Sequence, residues 1–136
     1  MEYRYTGDVN KLQGHMPVGS GECVALVQMY ANAPRTLHWR AGKHVLDAAQ
    51  IAPGTAVATF SSPVASFIGK HGNHAALFMY SGPKDVVTGK PKFIVVMDQW
   101  KGRRIKSRRI DYYSPEEAKT RRIMDCDNAD AFYIIR

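Results

Sequence analysis

The change of pattern at Pro53-Gly54 constrains this chain more than any other feature. Beyond that turn come the short runs "TAVATF", "HAALFMY", "FIVVMDQW" and "DAFYIIR", rich in β-branched and aromatic residues and separated by Gly, Pro, Asn and Asp. Runs of this kind read as strands. "RRIKSRRIDYY" alternates more weakly and reads as a further, edge-like strand. Ahead of the turn the pattern is helical, with Ser20 as N-cap, an apolar stripe of Val24, Leu26, Val27 and Tyr30, and Pro34 as the stop. "SPEEAKTRRI" opens a second helix with a capping box: Ser114 at the cap, Pro115 at the first helical position, and Glu117 three residues after the cap. Residues 1–20 look irregular, and "WRAGKHVLDAAQIAPGT" reads as a turn, a short helix and the Pro-Gly turn. One helix followed by consecutive strands predicts an α+β fold, with the N-terminal helix packed on a small antiparallel sheet. With 136 residues, no linker and no internal repeat, a single domain spanning 1–136 is expected.

The helix carries the residue that raises a chemical question. Cys23, in "VGSGECVALVQMYANAP", stands where a Gly/Ser-rich turn gives way to the apolar run. A cysteine in the first turn of a helix faces unpaired backbone N–H groups and the positive end of the helix dipole, which favour thiolate over thiol. Free cysteine is also among the most buried residue types, so a packing role competes with a nucleophilic one. Two cysteines form no disulfide framework, and no CxxC or clustered Cys/His spacing points to a zinc site. Both thiols are expected to be free, and no metal or organic cofactor is called for. Cys126, in "MDCDNAD", sits among acids that disfavour a thiolate and reads as structural.

A nucleophilic cysteine needs a base, and the chain has five histidines. His71 and His74 lie in "KHGNHAALF", with His74 at the start of a strand. Symmetric pairing of "HAALFMY" with "FIVVMDQW" about residue 86 sets His74 opposite Asp98, Ala76 opposite Val96 and Phe78 opposite Ile94. Directly opposed residues have Cβ atoms about 4.5–5.5 Å apart, close enough for a carboxylate to fix the imidazole tautomer. A slip of one residue brings Met97 or Gln99 there instead, and Gln99 is also able to orient a histidine.

These residues together resemble a known family. "GECVALVQMY", then a "TAVATF" strand after a Pro-Gly turn, then "GNHAALF" and "VMDQW", are similar to the CHAP and NlpC-type cysteine amidases and peptidases, small papain-like bacterial enzymes that cut peptide bonds in peptidoglycan. The resemblance covers roughly residues 18 to 100. It implies Cys23 as nucleophile, His74 as base and Asp98 as orienting residue, with Gln99, Trp100 and His71 as candidate substrate contacts. It implies an oxyanion held by the Cys23 N–H and a second donor, sought in Gln13–Gly21. The implied function is a thiol amidase or endopeptidase acting on peptidoglycan stem peptides. By analogy with injected effectors that carry no signal, it implies a type VI-like toxin with an immunity protein as partner. The same scaffold also carries acyltransferases and deamidases, and a non-catalytic binding module is a further alternative.

Charge adds one more expectation. The net charge of +7 is concentrated in Lys101, Arg103, Arg104, Lys106, Arg108 and Arg109, with Arg121 and Arg122 following. The run reads as the solvated edge of a sheet or as a site for an anionic polymer; the interleaved aromatics of a nucleic-acid surface are missing. The opening "MEYRY" lacks the pattern of a secretory signal, and runs such as "FIVVM" are too short to span a bilayer. A chain made in the cytoplasm and exported, if at all, by a signal-independent route is expected.

Overall fold

A computed structural model describes residues 2–136 of the chain. The expected first helix forms as α1, Cys23–Ala31, and starts later than the sequence suggested. Glu22 is its N-cap, while the Ser20 hydroxyl accepts a hydrogen bond from the Glu22 N–H at 3.3 Å. Asn32 closes it in the left-handed conformation, its N–H bonded to the Val27 carbonyl. Strand β1 (Ala41–His44) and a 3₁₀ turn at Val45–Asp47 stand where a short helix was expected. Then come β2 (Ala56–Thr59), β3 (Ala75–Ser81), β4 (Phe93–Trp100) and β5 (Arg103–Asp111). The second helix, α2 (Pro115–Arg121), starts as anticipated, the Ser114 hydroxyl accepting from the Glu117 N–H at 3.1 Å. Strand β6 (Phe132–Ile135) follows.

The strands form one sheet in the order β1-β6-β2-β3-β4-β5, every neighbour antiparallel. The protein thus has the papain-like α+β architecture, a cysteine-bearing helix on an antiparallel sheet. On one face Leu26, Val27 and Ala31 of α1 pack with Trp39, Leu77, Met97 and Ile105, over the small side chains of Ala56, Ala58 and Ala75. The other face gathers Val57, Phe78, Ile94, Val96, Ile110 and Phe132 beneath Val45, Leu46 and Ala129. Covering both faces explains why β2 is buried along its whole length, and why "FIVVM" is a continuous apolar run instead of an alternating one.

The segment before α1 is more ordered than its sequence suggested. It contains a 3₁₀ turn at Val9–Leu12 and a bridge between Arg4 and Thr55. Gly54 makes that approach possible: its φ is +91°, and a Cβ there would lie 2.0 Å from the Tyr5 carbonyl oxygen. Strand β5 is an edge, as expected, but its first half is covered. Ile105 exchanges backbone hydrogen bonds with Gly14 (2.7 Å) and His15 (3.0 Å), and the Gln13 side chain accepts from the Ser107 N–H at 2.8 Å.

The β3–β4 register differs from the expected one. Phe78 lies opposite Val96 instead of Ile94, and Leu77 opposite Met97; past an irregularity between Phe78 and Tyr80, Ser81 faces Ile94. The reason lies in the connector. Backbone pairing continues past Ser81, with the Gly82 N–H on the Phe93 carbonyl at 2.8 Å and Lys84 bridging Pro91, so the turn is not centred on residue 86. A two-residue slip is even, and an even slip keeps every side chain on its own face. Asp98 therefore stays within reach of His74.

Leu26 is fully buried beneath α1, three positions after Cys23. Leu26→Ala should lower the unfolding free energy by about 2–5 kcal/mol, measured by urea denaturation.

Candidate active site

The site is assembled at the head of α1. Cys23 is the first helical residue, half-buried and not in a disulfide; Cys126 is likewise free. The first N–H groups of a helix have no acceptor within the helix, and Cys23 stands in that first turn. What fixes the helix head is Gln99. Its amide donates to the Val18 carbonyl (3.0 Å) and the Glu22 carbonyl (2.8 Å), and its oxygen accepts from the Val18 N–H (2.9 Å). Gln99 is fully buried and its amide is wholly engaged, so it sits behind the site and not in the position expected for a substrate contact.

His74 directly precedes β3 and is clamped to β2. Its N–H donates to the Thr59 hydroxyl at 3.0 Å, and its carbonyl accepts from the Thr59 N–H at 2.9 Å. Its Nε2 donates to Asp98 Oδ2 at 2.8 Å. That leaves Nδ1 as the ring nitrogen able to meet the Cys23 thiol. Burial alone would push the imidazole down, but the hydrogen bonds to Asp98 and to Cys23 and the attraction of their charges outweigh it, raising it from 6.5 to about 9. The ring is therefore protonated near neutrality.

Asp98 has no solvent exposure. Burial works against its ionised form, yet His74 first and then Arg108 hold its carboxyl below the ordinary carboxylate range. Arg103 Nη1 donates to Asp98 Oδ1 at 2.9 Å and to its carbonyl at 3.0 Å, and Arg108 Nε donates to Oδ2 at 2.9 Å. Two members of the basic run, Arg103 and Arg108, thus face inward, while Lys101, Arg104, Lys106 and Arg109 stay exposed as the edge reading expects. Arg109 pairs instead with Asp111 at 2.7 Å, and Arg104 donates to the Gly14 carbonyl at 3.0 Å.

Cys23 and His74 open onto a cleft of about 820 Å³, which His71, Trp100, Lys70, Lys101 and Cys126 also line. Trp100 is half-exposed; its ring lies edge-on to His74 with centroids 6.2 Å apart, and the Arg103 guanidinium stacks on it at 3.9 Å. Among the described residues, no group of three His, Cys, Asp or Glu is placed to hold a metal ion, and no helix is long and apolar enough to cross a membrane. The arrangement brings together a thiol, an imidazole and a buried carboxylate, the types of group that acyl transfer through a thiol requires.

Known proteins point the same way. Residues 3–135 match the family described as "Domesticated amidase effector 2". A solved structure described as "Type 6 secretion amidase effector 2 (Tae2)" superposes with a TM-score of 0.77 at 30% sequence identity, over 98% of this chain and 94% of that one. No curated protein matches the chain.

Two measurements test the electrostatics. Burial, and after it the Asp127 charge, push the Cys126 thiol up, so iodoacetamide should label Cys23 much faster than Cys126 near neutral pH; equal rates would remove the case for an activated Cys23. The protonated His74 ring, held above its ordinary 6.5, stabilises the fold fully below pH 6.5, and that contribution is lost as the pH rises through about 9. Unfolding free energies followed from pH 6 to 10 should decline more steeply for the native chain than for His74→Ala.

Proposed function

The chain belongs to the domesticated amidase effector 2 family, and from that membership we propose that it is a thiol amidase that cuts amide bonds in peptidoglycan stem peptides, with Cys23, His74 and Asp98 acting as its triad. The observation that carries the reading is His74, held by Asp98 on one ring nitrogen, with the Cys23 thiol in reach of the other, at the floor of a cleft.

In the proposed reaction His74 Nδ1 holds the proton removed from Cys23, and the thiolate adds to the substrate carbonyl carbon. The negative oxygen that results lies at the positive end of α1 and accepts from the Cys23 N–H. Collapse breaks the C–N bond, and the imidazolium gives its proton to the departing amine. Water, deprotonated by His74, then adds to the thioester carbonyl, and the thiolate leaves as the carboxylate product forms. Asp98 keeps the Nε2–H direction fixed through both steps and takes no proton itself. Trp100 and His71, both on the cleft wall, are the proposed substrate contacts.

The wider kinship with CHAP and NlpC-type hydrolases is part of the same reading and rests on the order of the cysteine helix, the histidine strand and the following Asp98 strand. So is the treatment of the chain as one catalytic domain, supported by a family match over residues 3–135. The relative described as a type 6 secretion effector supports delivery by such an apparatus, with an immunity protein able to plug the cleft as partner.

The test is digestion of purified peptidoglycan by the reduced protein, with the new termini identified by mass spectrometry. Cys23→Ala should fall to background and His74→Ala nearly as far, by about 10³-fold or more, and the double variant should be no worse than Cys23→Ala, since residues acting as one unit are not additive. Asp98→Asn should be milder than His74→Ala, because an amide oxygen still accepts the Nε2–H. Undiminished cleavage by Cys23→Ala would refute the thiol mechanism.

A further inference from the structure

A buried carboxylate needs partners, but Asp98 has more than satisfaction requires. One hydrogen-bonded cation would balance its charge, and His74 is already such a group. Two guanidinium groups are added. Arg108 Nε donates to Oδ2 at 2.9 Å, the same oxygen that His74 Nε2 meets at 2.8 Å, and Arg103 takes Oδ1 at 2.9 Å. Arg108 and His74 therefore compete for the electron density of one oxygen.

The strand geometry needed to achieve this is unusual. In a regular strand Arg103 and Arg108, an odd number of residues apart, would point to opposite faces. Between Asp98 and Trp100 the β4–β5 register shifts, from Asp98 opposite Lys106 to Trp100 opposite Arg103. An irregularity of this kind re-aims a side chain, and here it lets both arginines converge on one carboxylate. Each arginine then reaches further. Arg103 stacks on Trp100, 3.9 Å from the ring, and Arg108 Nη1 meets Asp127 Oδ1 at 3.1 Å while Nη2 meets the Cys126 carbonyl at 3.0 Å.

We propose that Arg103 and Arg108 are positioning residues for the amidase, which hold the Asp98 carboxylate in one orientation and one charge state and through it set the orientation and basicity of the His74 ring. The proposal rests on the triad reading above. Their two positive charges offset part of the attraction between Asp98 and the imidazolium, so the ring releases its proton to the leaving amine more readily than it would beside a lone carboxylate. The other charged and titratable groups that line the cleft with the ring are Cys23 and Glu22 at the head of α1, Lys70 and His71 before β3, Lys101 between β4 and β5, and Cys126 and Asp127 beyond α2. Unlike those groups, the two arginines are bonded to Asp98 itself.

The experiment follows the His74 ring by NMR titration, which needs no catalysis, alongside the pH dependence of kcat and KM on a soluble stem-peptide substrate. In Arg108→Gln a cation is removed and Asp127 loses its partner, so His74 should titrate about one unit higher, and the alkaline limb of kcat should move with it. The rate should drop by about tenfold to a hundredfold in kcat with little change in KM. Arg103→Gln should shift His74 the same way. Arg108→Lys keeps the charge and should leave the titration within a few tenths of a unit, which separates an electrostatic effect from general loosening of the fold. If His74 titrates unchanged in both Gln variants, or shifts equally in Arg108→Lys, the proposal is overturned. Loss of the triad reading would be seen separately, as amide cleavage that survives Cys23→Ala.

Discussion

An ionised carboxylate sealed from water is the constraint around which this molecule is arranged. Asp98 has no exposed surface, and a buried charge is tolerated only when it is both paired and hydrogen-bonded. Meeting that demand brings His74 just before β3, Asp98 near the end of β4, and Arg103 and Arg108 of β5 to one point. The consequences form a closed circuit. Arg108 joins Asp98 to the Cys126 carbonyl, the Cys126 N–H bonds to the Gly72 carbonyl at 2.9 Å, and Gly72 lies two residues before His74, which returns to Asp98. The far wall of the cleft and the ring at its floor are held by the same carboxylate.

Such a cluster is a weak source of stability. Apolar side chains of similar volume would hold a sheet about as well, while removing one partner from a buried pair costs about 3–5 kcal/mol. The rest of the interior is ordinary close packing: α1 on alanines and leucine on one face, Val, Ile and Phe on the other. An ionic knot placed where the strands reach the cleft, with a histidine raised and a carboxyl lowered by each other, fits a chemical role better than a structural one.

The elements were largely legible in the sequence because their signals are local. β-branched runs marked the strands, and Ser114 with Pro115 marked the head of α2. Cys23, His74 and Asp98 stood out by residue type and position, and the fold brings them together. What the sequence concealed depends on contacts between distant segments. The hairpin register departs from the symmetric one because pairing runs on through Gly82 and Lys84 to Pro91, which no residue in the loop advertises. Arg103 and Arg108 looked like their exposed neighbours, since only the shift of register beside Gln99 turns both inward. Ser20 suits a cap by residue type, yet Gln99, far away in the chain, bonds to the Glu22 carbonyl, and α1 begins after Glu22.

That last contact explains how two side chains from opposite ends of the fold come to meet. Asp98 and Gln99 are adjacent on β4. The first fixes the His74 ring, and the second, through Val18 and Glu22, fixes the turn that delivers Cys23. Neighbouring residues on a strand point to opposite faces, so this dipeptide reaches the helix side with its amide and the ring side with its carboxylate. A peptide bond is planar and stiff, and both side chains are buried and hydrogen-bonded through each of their polar atoms. The positions of the Cys23 thiol and the His74 ring are thus both referred to one dipeptide of the sheet instead of to the separate segments that carry them.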